Sequence, residues 1–448
     1  MQRSVLKVLM LLPAAAVLML AGSILLNVSA VSKPAPRQAA APANSQSEQR
    51  LFSQGRDVFR YDTFGDQSFW GGGLQLHKAI EGSKLGGVGA GLSPKNALAA
   101  GLKVDAAALP SAVVAAIKKG KVDLNSPKTT LALIKLNAVV GVKGFFNSKG
   151  TLRSVGLTCA VCHSTVDDSF AKGIGRRLDG WANRDLNVGA VISLAPNLKP
   201  VTDLLGADEA TVKKVLAGWG AGKFDAKLLL DGKAFMPDGK SAATLIPSAY
   251  GLNGVNLATY TGFGQMTYWN AFVANLEMHG QGNFVDARLN DPIQFPIAAR
   301  AGFFDVRHTP DLVTPKLGSL QYYQLGLQPP APPKGSYDPA RAQRGKAIFD
   351  GKGKCSSCHV PPTFSEPGSN LRKPAEICTD SFDADRSPTH AYRTTQLRGL
   401  WARAKGGFYH DGRYQTLGAV VDHYNSCFGL NLTTRERGDL VQYLKSLH

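Results

Sequence analysis

The sequence predicts a mainly α-helical fold made of two domains, and three observations support this prediction. The chain has 448 residues, which is too many for a single hydrophobic core. Several segments rich in Ala and Leu follow residues that commonly begin helices. A Pro-rich stretch, QPPAPPKG at 328–335, cannot form a helix or a central strand and marks the clearest boundary. We expect domains at 51–328 and 340–448, joined by a linker at 329–339.

The first fifty residues differ from the rest of the chain. A basic start precedes an apolar run from Val8 to Leu26 and small residues ending at Ala30, which is typical of a secretory signal peptide. The apolar run is also long enough for an uncleaved membrane anchor, so both interpretations of residues 1–30 stay open. Residues 31–50 are rich in Ala, Pro, Ser and Gln and predict a flexible linker. Either way, the bulk of the chain is expected to be exported.

The elements of the first half follow from local signals. Ser93 and Ser126 each precede a proline, which is the pattern of a helix N-cap followed by proline at the first helical position. Two apolar residues at 145–146, followed by a turn from Asn147 to Gly150, predict a short hairpin. Helices are expected at 96–102, 111–119, 129–139, 208–216 and 269–278.

The second half has a simpler layout. A helix is expected at 338–349 and a closing helix at 433–447. Thr433 and Glu436 form a predicted capping box, and Leu440, Val441 and Leu444 give the closing helix an apolar stripe. An entry helix and a closing helix would therefore enclose the segment between them in one small domain.

Two pentapeptides of the form CxxCH carry the chemistry of the chain. In this motif the two thiols add covalently to haem vinyl groups, and the histidine is placed to bind the iron. A zinc site would need four ligands from nearby pairs, whereas Cys159 and Cys355 lie 196 residues apart. Each predicted domain is therefore cytochrome c-like, with a helical N-terminal extension on the first. The predicted attachment residues of the two c-type haems are Cys159, Cys162 and His163, and Cys355, Cys358 and His359.

Composition adds two further expectations. Cys378 and Cys427 are the cysteines left over, and in an oxidising compartment they predict a disulfide, the alternative being two buried thiols. The formal net charge of +18 suits docking of an acidic electron partner or proximity to anionic lipid, or reflects general solubility alone. No Arg-rich or aromatic-interleaved segment indicates nucleic acid binding.

Residues 340–448 resemble the bacterial di-haem cytochrome c peroxidase family, which includes a methylamine-utilisation branch that oxidises tryptophan residues of a partner protein. The resemblance rests on TTQLRGL at 394–400, GFYHDG at 407–412 and VVDHY at 420–424. It implies two haems in two domains, a tryptophan between them and a calcium ion at the domain interface. One haem would relay electrons, and the other would meet hydrogen peroxide or dioxygen.

The resemblance also identifies candidates for the sixth ligand of the C-terminal haem. Tyr424 stands where the family's peroxidases have a methionine and where the tryptophan-oxidising branch has a tyrosine. No methionine follows Met278, so this haem has no methionine ligand in its own domain. Tyr424, favoured by spacing, competes with His410 and His423. Those that do not bind the iron would simply line the pocket.

For the N-terminal haem, the resemblance implies that Trp269 mediates electron transfer and that His279 faces the substrate side of the iron. Trp269 could equally be a buried aromatic residue of a helix. Glu277 is a candidate acid or base for O–O cleavage, the alternative being a solvated helix position. The distal ligand stays open among several residues, or the position is vacant. Those residues are His77, Met236, Met266, Met278 and His279.

The leading functional hypothesis is an exported, periplasmic di-haem oxidoreductase of the peroxidase type. The N-terminal haem would activate hydrogen peroxide or dioxygen, and the C-terminal haem would exchange electrons with a periplasmic donor or acceptor protein. One alternative is a non-catalytic electron-transfer cytochrome with two six-coordinate irons. A second is a haem-dependent oxygenase of an organic substrate.

Overall fold

A computed structural model describes residues 45–448, and Gln46–His448 form one compact unit. The predicted signal peptide or anchor lies outside the described residues, as do residues 31–44 of the predicted linker. The remainder of that linker is helical, because the first helix begins at Ser45. Within residues 45–448, no helix combines the length and the apolar character needed to cross a membrane.

The fold is mainly helical, which confirms the predicted class. The α-helices are α1 (Ser45–Tyr61), α2 (Leu76–Glu81), α3 (Pro94–Ala99), α4 (Ser111–Lys118), α5 (Pro127–Lys135), α6 (Ala160–His163), α7 (Val188–Ser193), α8 (Lys199–Leu205), α9 (Glu209–Trp219), α10 (Leu228–Asp231), α11 (Met266–Phe272), α12 (Pro296–Ala301), α13 (Leu317–Gly326), α14 (Pro339–Asp350), α15 (Phe382–Asp385), α16 (Leu417–Cys427) and α17 (Thr434–Ser446). Two π-helical turns, Ser68–Gly73 and Val273–Glu277, and several short 3₁₀ turns complete the helical structure.

The strands of the described chain form five two-stranded sheets. They are β1 (Val104–Asp105), β2 (Val142–Phe146), β3 (Leu152–Leu157), β4 (Ser164–Val166), β5 (Ile174–Gly175), β6 (Arg177–Asp179), β7 (Lys223–Phe224), β8 (Thr244–Leu245), β9 (Phe284–Val285) and β10 (Asp305–Val306). Strand β1 pairs in parallel with β5, and the pairs β2 with β3, β4 with β6, β7 with β8 and β9 with β10 are antiparallel.

The hairpin of β2 and β3 confirms the prediction and leads into the first CxxCH. Its position depends on a close approach, because a β-carbon on Gly141 would lie 2.1 Å from the backbone nitrogen of Val161. Gly141 also has φ of +77°, which favours glycine. The chain therefore passes from the hairpin directly against the turn that carries the attachment cysteines.

Local capping signals were correct in most cases. The Ser93 hydroxyl accepts a hydrogen bond from the Asn96 amide at the start of α3. Ser126 is the N-cap residue of α5 and is followed by the proline that begins the helix, as predicted, although its side chain makes no cap hydrogen bond. The predicted capping box of Thr433 and Glu436 is present at the start of α17.

The C-terminal segment packs α14 against α17 around Phe349, as the predicted entry and closing helices require. Asp439 of α17 is buried and forms ion pairs with Arg341 and Arg344 of α14, at 2.8 and 2.7 Å. The predicted disulfide between Cys378 and Cys427 is confirmed. It joins the end of α16 to the loop that precedes α15.

Candidate haem sites

The first CxxCH lies between two parts of the hydrophobic core. Helix α6 holds Cys162 and His163, and Cys159 precedes it. Cys159 packs beside a cluster that includes Phe59 and Met278, whereas Cys162 packs beside a second cluster around Leu186. Burial raises the pKa of both thiols to about 12, and the nearby Glu277 contributes to the shift of Cys162.

Both motif histidines are prepared to bind a metal through the same nitrogen. The Nδ1–H of His163 donates to the Pro247 carbonyl oxygen at 3.1 Å, and that of His359 donates to the Phe364 carbonyl oxygen at 2.9 Å. Because a carbonyl only accepts, each ring carries its proton on Nδ1 and leaves the Nε2 lone pair available for iron. Burial lowers the pKa of both histidines to about 4, so both are neutral near pH 7.

A cavity of about 530 Å³ lies beside the second CxxCH. Its size falls in the range of cofactor pockets, and Cys355, Cys358 and His359 form part of its wall. Apolar side chains from α14, α16 and α17 line much of the rest. Those side chains include Phe349, Leu417, Val421, Leu440 and Leu444. A large apolar macrocycle attached at the motif cysteines fits this volume.

Buried guanidinium groups at this cavity provide a separate test of the fit. Arg184, Arg393 and Arg403 line the cavity, and each has at least one buried N–H nitrogen without a hydrogen-bond partner in the described chain. Burial lowers the pKa of Arg393 to about 10 and also lowers that of Arg403. Unpaired buried cations are costly, and haem supplies two propionate carboxylates that would pair with them. The residues present therefore fit a c-type haem.

The structure separates the three candidates for the sixth ligand of this haem. Tyr424 and His410 line the cavity, whereas His423 lies outside its wall. His423 Nε2–H donates to the Ile377 carbonyl oxygen at 3.3 Å, which leaves Nδ1 to accept from the Tyr414 hydroxyl at 2.8 Å. Both nitrogens of His423 are thus engaged within the protein.

His410 is held among aromatic and acidic neighbours. Its ring stacks on Tyr392 with centroids 5.0 Å apart, and its Nε2 lies 3.8 Å from an Asp380 oxygen. Burial lowers its pKa, and Asp383 acts in the opposite direction. These contacts fix the ring at the wall of the cavity.

Tyr409 also lines this cavity and was missed as a candidate, although it lies within the GFYHDG segment. Its backbone has φ of +70°, an unusual conformation for a bulky residue and one that often marks functional sites. The hydroxyl is buried without a hydrogen-bond partner of ordinary geometry in the described chain. Its ring lies 6.1 Å from that of Tyr424, and burial and this neighbour raise the pKa of Tyr409. Two phenols therefore face the second site.

The region predicted to lie on the distal side of the first haem contains a buried acid. The predicted helix at 269–278 is α11 followed by the π-helical turn Val273–Glu277, and π-turns are frequent at functional sites. Glu277 is buried at the end of that turn, and both carboxyl oxygens lack a partner in residues 45–448. Burial, and secondarily Asp225, raise the pKa of Glu277 well above the usual range, which favours the protonated carboxyl over the carboxylate.

His279 follows directly in a strained conformation with φ of +58°. Its ring stacks on Phe69, with centroids 3.7 Å apart, and Phe69 belongs to the other π-helical turn. Burial lowers the pKa of His279 to about 4, so the ring is neutral. The stack of His279 on Phe69 thus joins the two π-helical turns, and Glu277 lies close enough to Cys162 to act on its thiol.

Trp269 lies in an aromatic cluster and does not line the cavity of the second CxxCH. It stacks on Phe272 with centroids 4.7 Å apart and meets Phe263 edge-on.

The described residues contain no group of three or more His, Cys, Asp or Glu side chains placed to hold a metal ion, and the calcium ion stays a prediction.

Two CxxCH motifs, histidines with a free Nε2 and a cavity of suitable size are the features that attachment of c-type haem requires. The chain is similar to the methylamine utilization protein MauG of Methylorubrum extorquens, with 33% identity over 128 residues. The match covers 24% of this chain and 35% of that relative, so it spans about a third of the relative's length. A comparison with protein-family models found no match.

Two solved structures show distant likeness. One is hydrazine synthase of Kuenenia stuttgartiensis, with 17% identity and a TM-score of 0.28 over 48% of this chain and 75% of that one. The other is a MauG-like protein associated with microbial copper homeostasis, with 15% identity and a TM-score of 0.31 over 48% of this chain and 76% of that one. Scores this low carry no argument about function.

Proposed function

We propose that this chain is an exported di-haem c-type cytochrome that reduces hydrogen peroxide or activates dioxygen at its N-terminal haem. The observation that carries the proposal is Glu277, a buried carboxyl with no partner beside the first CxxCH. When bound at His163, the haem supplies a redox-active iron at which peroxide or dioxygen reacts. The similarity to MauG supports an oxidoreductase at this coarse level.

Glu277 acts as the proton donor. Because burial raises the pKa of this carboxyl and favours its protonated form, Glu277 can give a proton to the oxygen that leaves when the O–O bond breaks. In the reduction of one hydrogen peroxide to two waters, two electrons and two protons are consumed. Glu277 delivers one of these protons, and solvent replenishes it.

His279 positions the substrate beside Glu277. The stack on Phe69 and the strained backbone fix the ring, and its neutral state leaves it able to donate or accept a hydrogen bond.

The C-terminal haem relays electrons in this proposal. Tyr424 would hold its iron, because Tyr424 lines the cavity and its spacing in the sequence favours it over His410, whereas His423 lies outside the cavity wall. A phenolate ligand would lower the potential relative to a thioether and favour higher oxidation states. His410 and Tyr409 then line the same pocket.

The electron partner is a periplasmic protein with an acidic docking face. A formal charge of +18 would steer such a partner to the surface, and haem propionates would reduce that charge by only a few units. The apolar leader at 8–26 directs the chain out of the cytoplasm and retains it at the membrane if it is not cleaved.

The test is the low-temperature electron paramagnetic resonance spectrum of the haem-loaded protein, recorded fully oxidised and again after addition of one electron per molecule. A high-spin ferric signal in either state means an iron open to peroxide or dioxygen, as proposed. Purely low-spin signals in both states mean two closed irons, and the chain would then be an electron carrier.

A further inference from the structure

Residues that precede the Pro-rich segment at 328–335 complete the cavity of the second CxxCH. Arg184, Pro247 and Ser248 line it, although they precede Cys355 by more than a hundred residues. Two of the segments concerned are also bonded to the first CxxCH. His163 donates to the carbonyl of Pro247 at 3.1 Å, as described above.

The second of these segments, residues 183–185, is held by hydrogen bonds at one end and by ion pairs at the other. The Asn183 amide donates to the Cys162 carbonyl at 2.8 Å, and its side chain donates to the Val161 carbonyl at 3.3 Å. Asp185 pairs with Lys103 at 2.6 Å and also with Lys405. The segment therefore joins the first attachment motif to the loop that follows Arg403.

Arg184 lies at the centre of this segment and has no partner for its charge. Its residue is 8% exposed, and its Nε and Nη1 atoms are buried without a hydrogen-bond partner in the described chain. Arg403 faces the same cavity and has a buried, unpaired Nε. Two buried guanidinium groups at one cavity require an anion, and a carboxylate pairs with such a group through two parallel hydrogen bonds.

We propose that Arg184 connects the two haem sites: its side chain binds a propionate of the C-terminal haem, the preceding residue Asn183 is held by the first CxxCH, and electrons pass between the haems through residues 183–184. The proposal rests on the proposed presence of two haems. In each transfer one haem loses one electron and the other gains it, and no bond or proton is exchanged. The route is a short series of covalent and hydrogen bonds from Cys162 to the guanidinium.

Trp269 offers a poorer connection in this chain. It does not line the second cavity, and its closest aromatic contacts are with Phe263 and Phe272 in a separate cluster. The segment 183–185, by contrast, touches both sites directly.

The experiment measures the rate of electron transfer between the haems after flash reduction of the haem-loaded protein, without peroxide. Arg184→Met is compared with Arg403→Met, which removes an equivalent cation from the same cavity. Both changes should lower the midpoint potential of the C-terminal haem, because a nearby cation stabilises the reduced iron. At matched driving force, only Arg184→Met should slow transfer, by about tenfold, which equals about 1.4 kcal/mol of activation free energy.

Equal rates of inter-haem electron transfer in Arg184→Met and Arg403→Met would overturn the proposal. So would a result in which Trp269→Phe slows this transfer and Arg184→Met does not. If Arg184→Met does not mature with two haems, Arg184→Lys tests the same contact: it keeps the charge but loses the paired hydrogen bonds, and transfer should still slow. The peroxidase proposal is tested separately by turnover. Wild-type protein with rapid inter-haem transfer and no peroxide reduction would contradict that proposal and leave this one intact.

Discussion

The Nδ1–H of His163 donates a hydrogen bond to the Pro247 carbonyl oxygen across 3.1 Å, and Pro247 also lines the cavity of the second CxxCH. The histidine of the first CxxCH is thus hydrogen-bonded to the wall of the cavity beside the second CxxCH. Filling or emptying the second cavity should therefore alter the hydrogen bond of His163, because Pro247 both lines that cavity and accepts the bond.

Loss of the C-terminal haem should alter the N-terminal one. In a Cys355→Ala, Cys358→Ala variant, an unfilled cavity would leave Pro247 less constrained, so that the hydrogen bond to His163 varies in geometry. Because this bond fixes ring orientation and ligand basicity, we expect the potential of the remaining haem to shift and its spectrum to broaden. Redox titration with optical detection measures both, and an N-terminal haem identical to that of the wild type would contradict the expected coupling.

Tyr424→Phe should remove the phenolate charge-transfer absorption of the C-terminal haem. The matched variant is Tyr409→Phe, which deletes the other phenol at the same cavity. Only the first should abolish the band and raise the potential of this haem. The visible spectrum of the oxidised protein is the measurement. Loss of the band in Tyr409→Phe alone would transfer the ligand role to Tyr409.

Glu277→Gln should lower peroxide-dependent turnover by about 10²- to 10⁴-fold, the usual contribution of a positioned general acid. Glutamine keeps the size of the side chain but cannot donate the proton. Glu81→Gln is the control, because Glu81 is also buried with a raised pKa but lies in α2. Steady-state kinetics at equal haem content compares the two, and unchanged turnover in Glu277→Gln would remove this residue from the mechanism.

Local signals made much of the fold predictable. The β2 and β3 hairpin, the cap at Ser93 and the capping box at Thr433 each depend on residues within a few positions, so the sequence contains the whole signal. The π-helical turn Val273–Glu277 was missed, because the extra residue in the turn depends on packing against the rest of the chain. A periodic apolar pattern predicts a helix there but not its local geometry.

The site was predictable where it is contiguous. Both CxxCH motifs are five-residue signals, whereas Arg184 and Pro247 reach the second cavity from distant segments and carry no motif. The choice between His423 and Tyr424 needed the structure for a different reason. Consecutive residues on a helix point about 100° apart, so only one of the two in α16 can face the cavity.

The disulfide should stabilise the region that carries Tyr424. Cys427 follows Tyr424 by less than one helical turn, and Cys378 follows Ile377, whose carbonyl binds His423. A Cys378→Ser, Cys427→Ser variant should lose about 2–4 kcal/mol in the free energy of unfolding, since 49 residues separate the two cysteines. Denaturant unfolding measures the loss. If unfolding and the Tyr424-dependent absorption are both unchanged, the disulfide does not hold this helix.

Asp439→Asn should weaken the packing of α14 against α17 in a pH-dependent way. Arg344 and Arg341 lower the pKa of Asp439 from 3.8 to about 2, so the carboxylate stabilises the folded state above pH 3.8 and loses this effect as the pH falls towards 2. The variant should be less stable than the wild type by about 2 kcal/mol at pH 7, the scale of hydrogen bonds to a charged group, and nearly equal at pH 2. Asp350→Asn, which removes the exposed pair with Lys346, should change stability by less than about 1 kcal/mol. Urea unfolding at several pH values makes the comparison, and a difference that does not depend on pH would show that the charge of Asp439 is not what joins these helices.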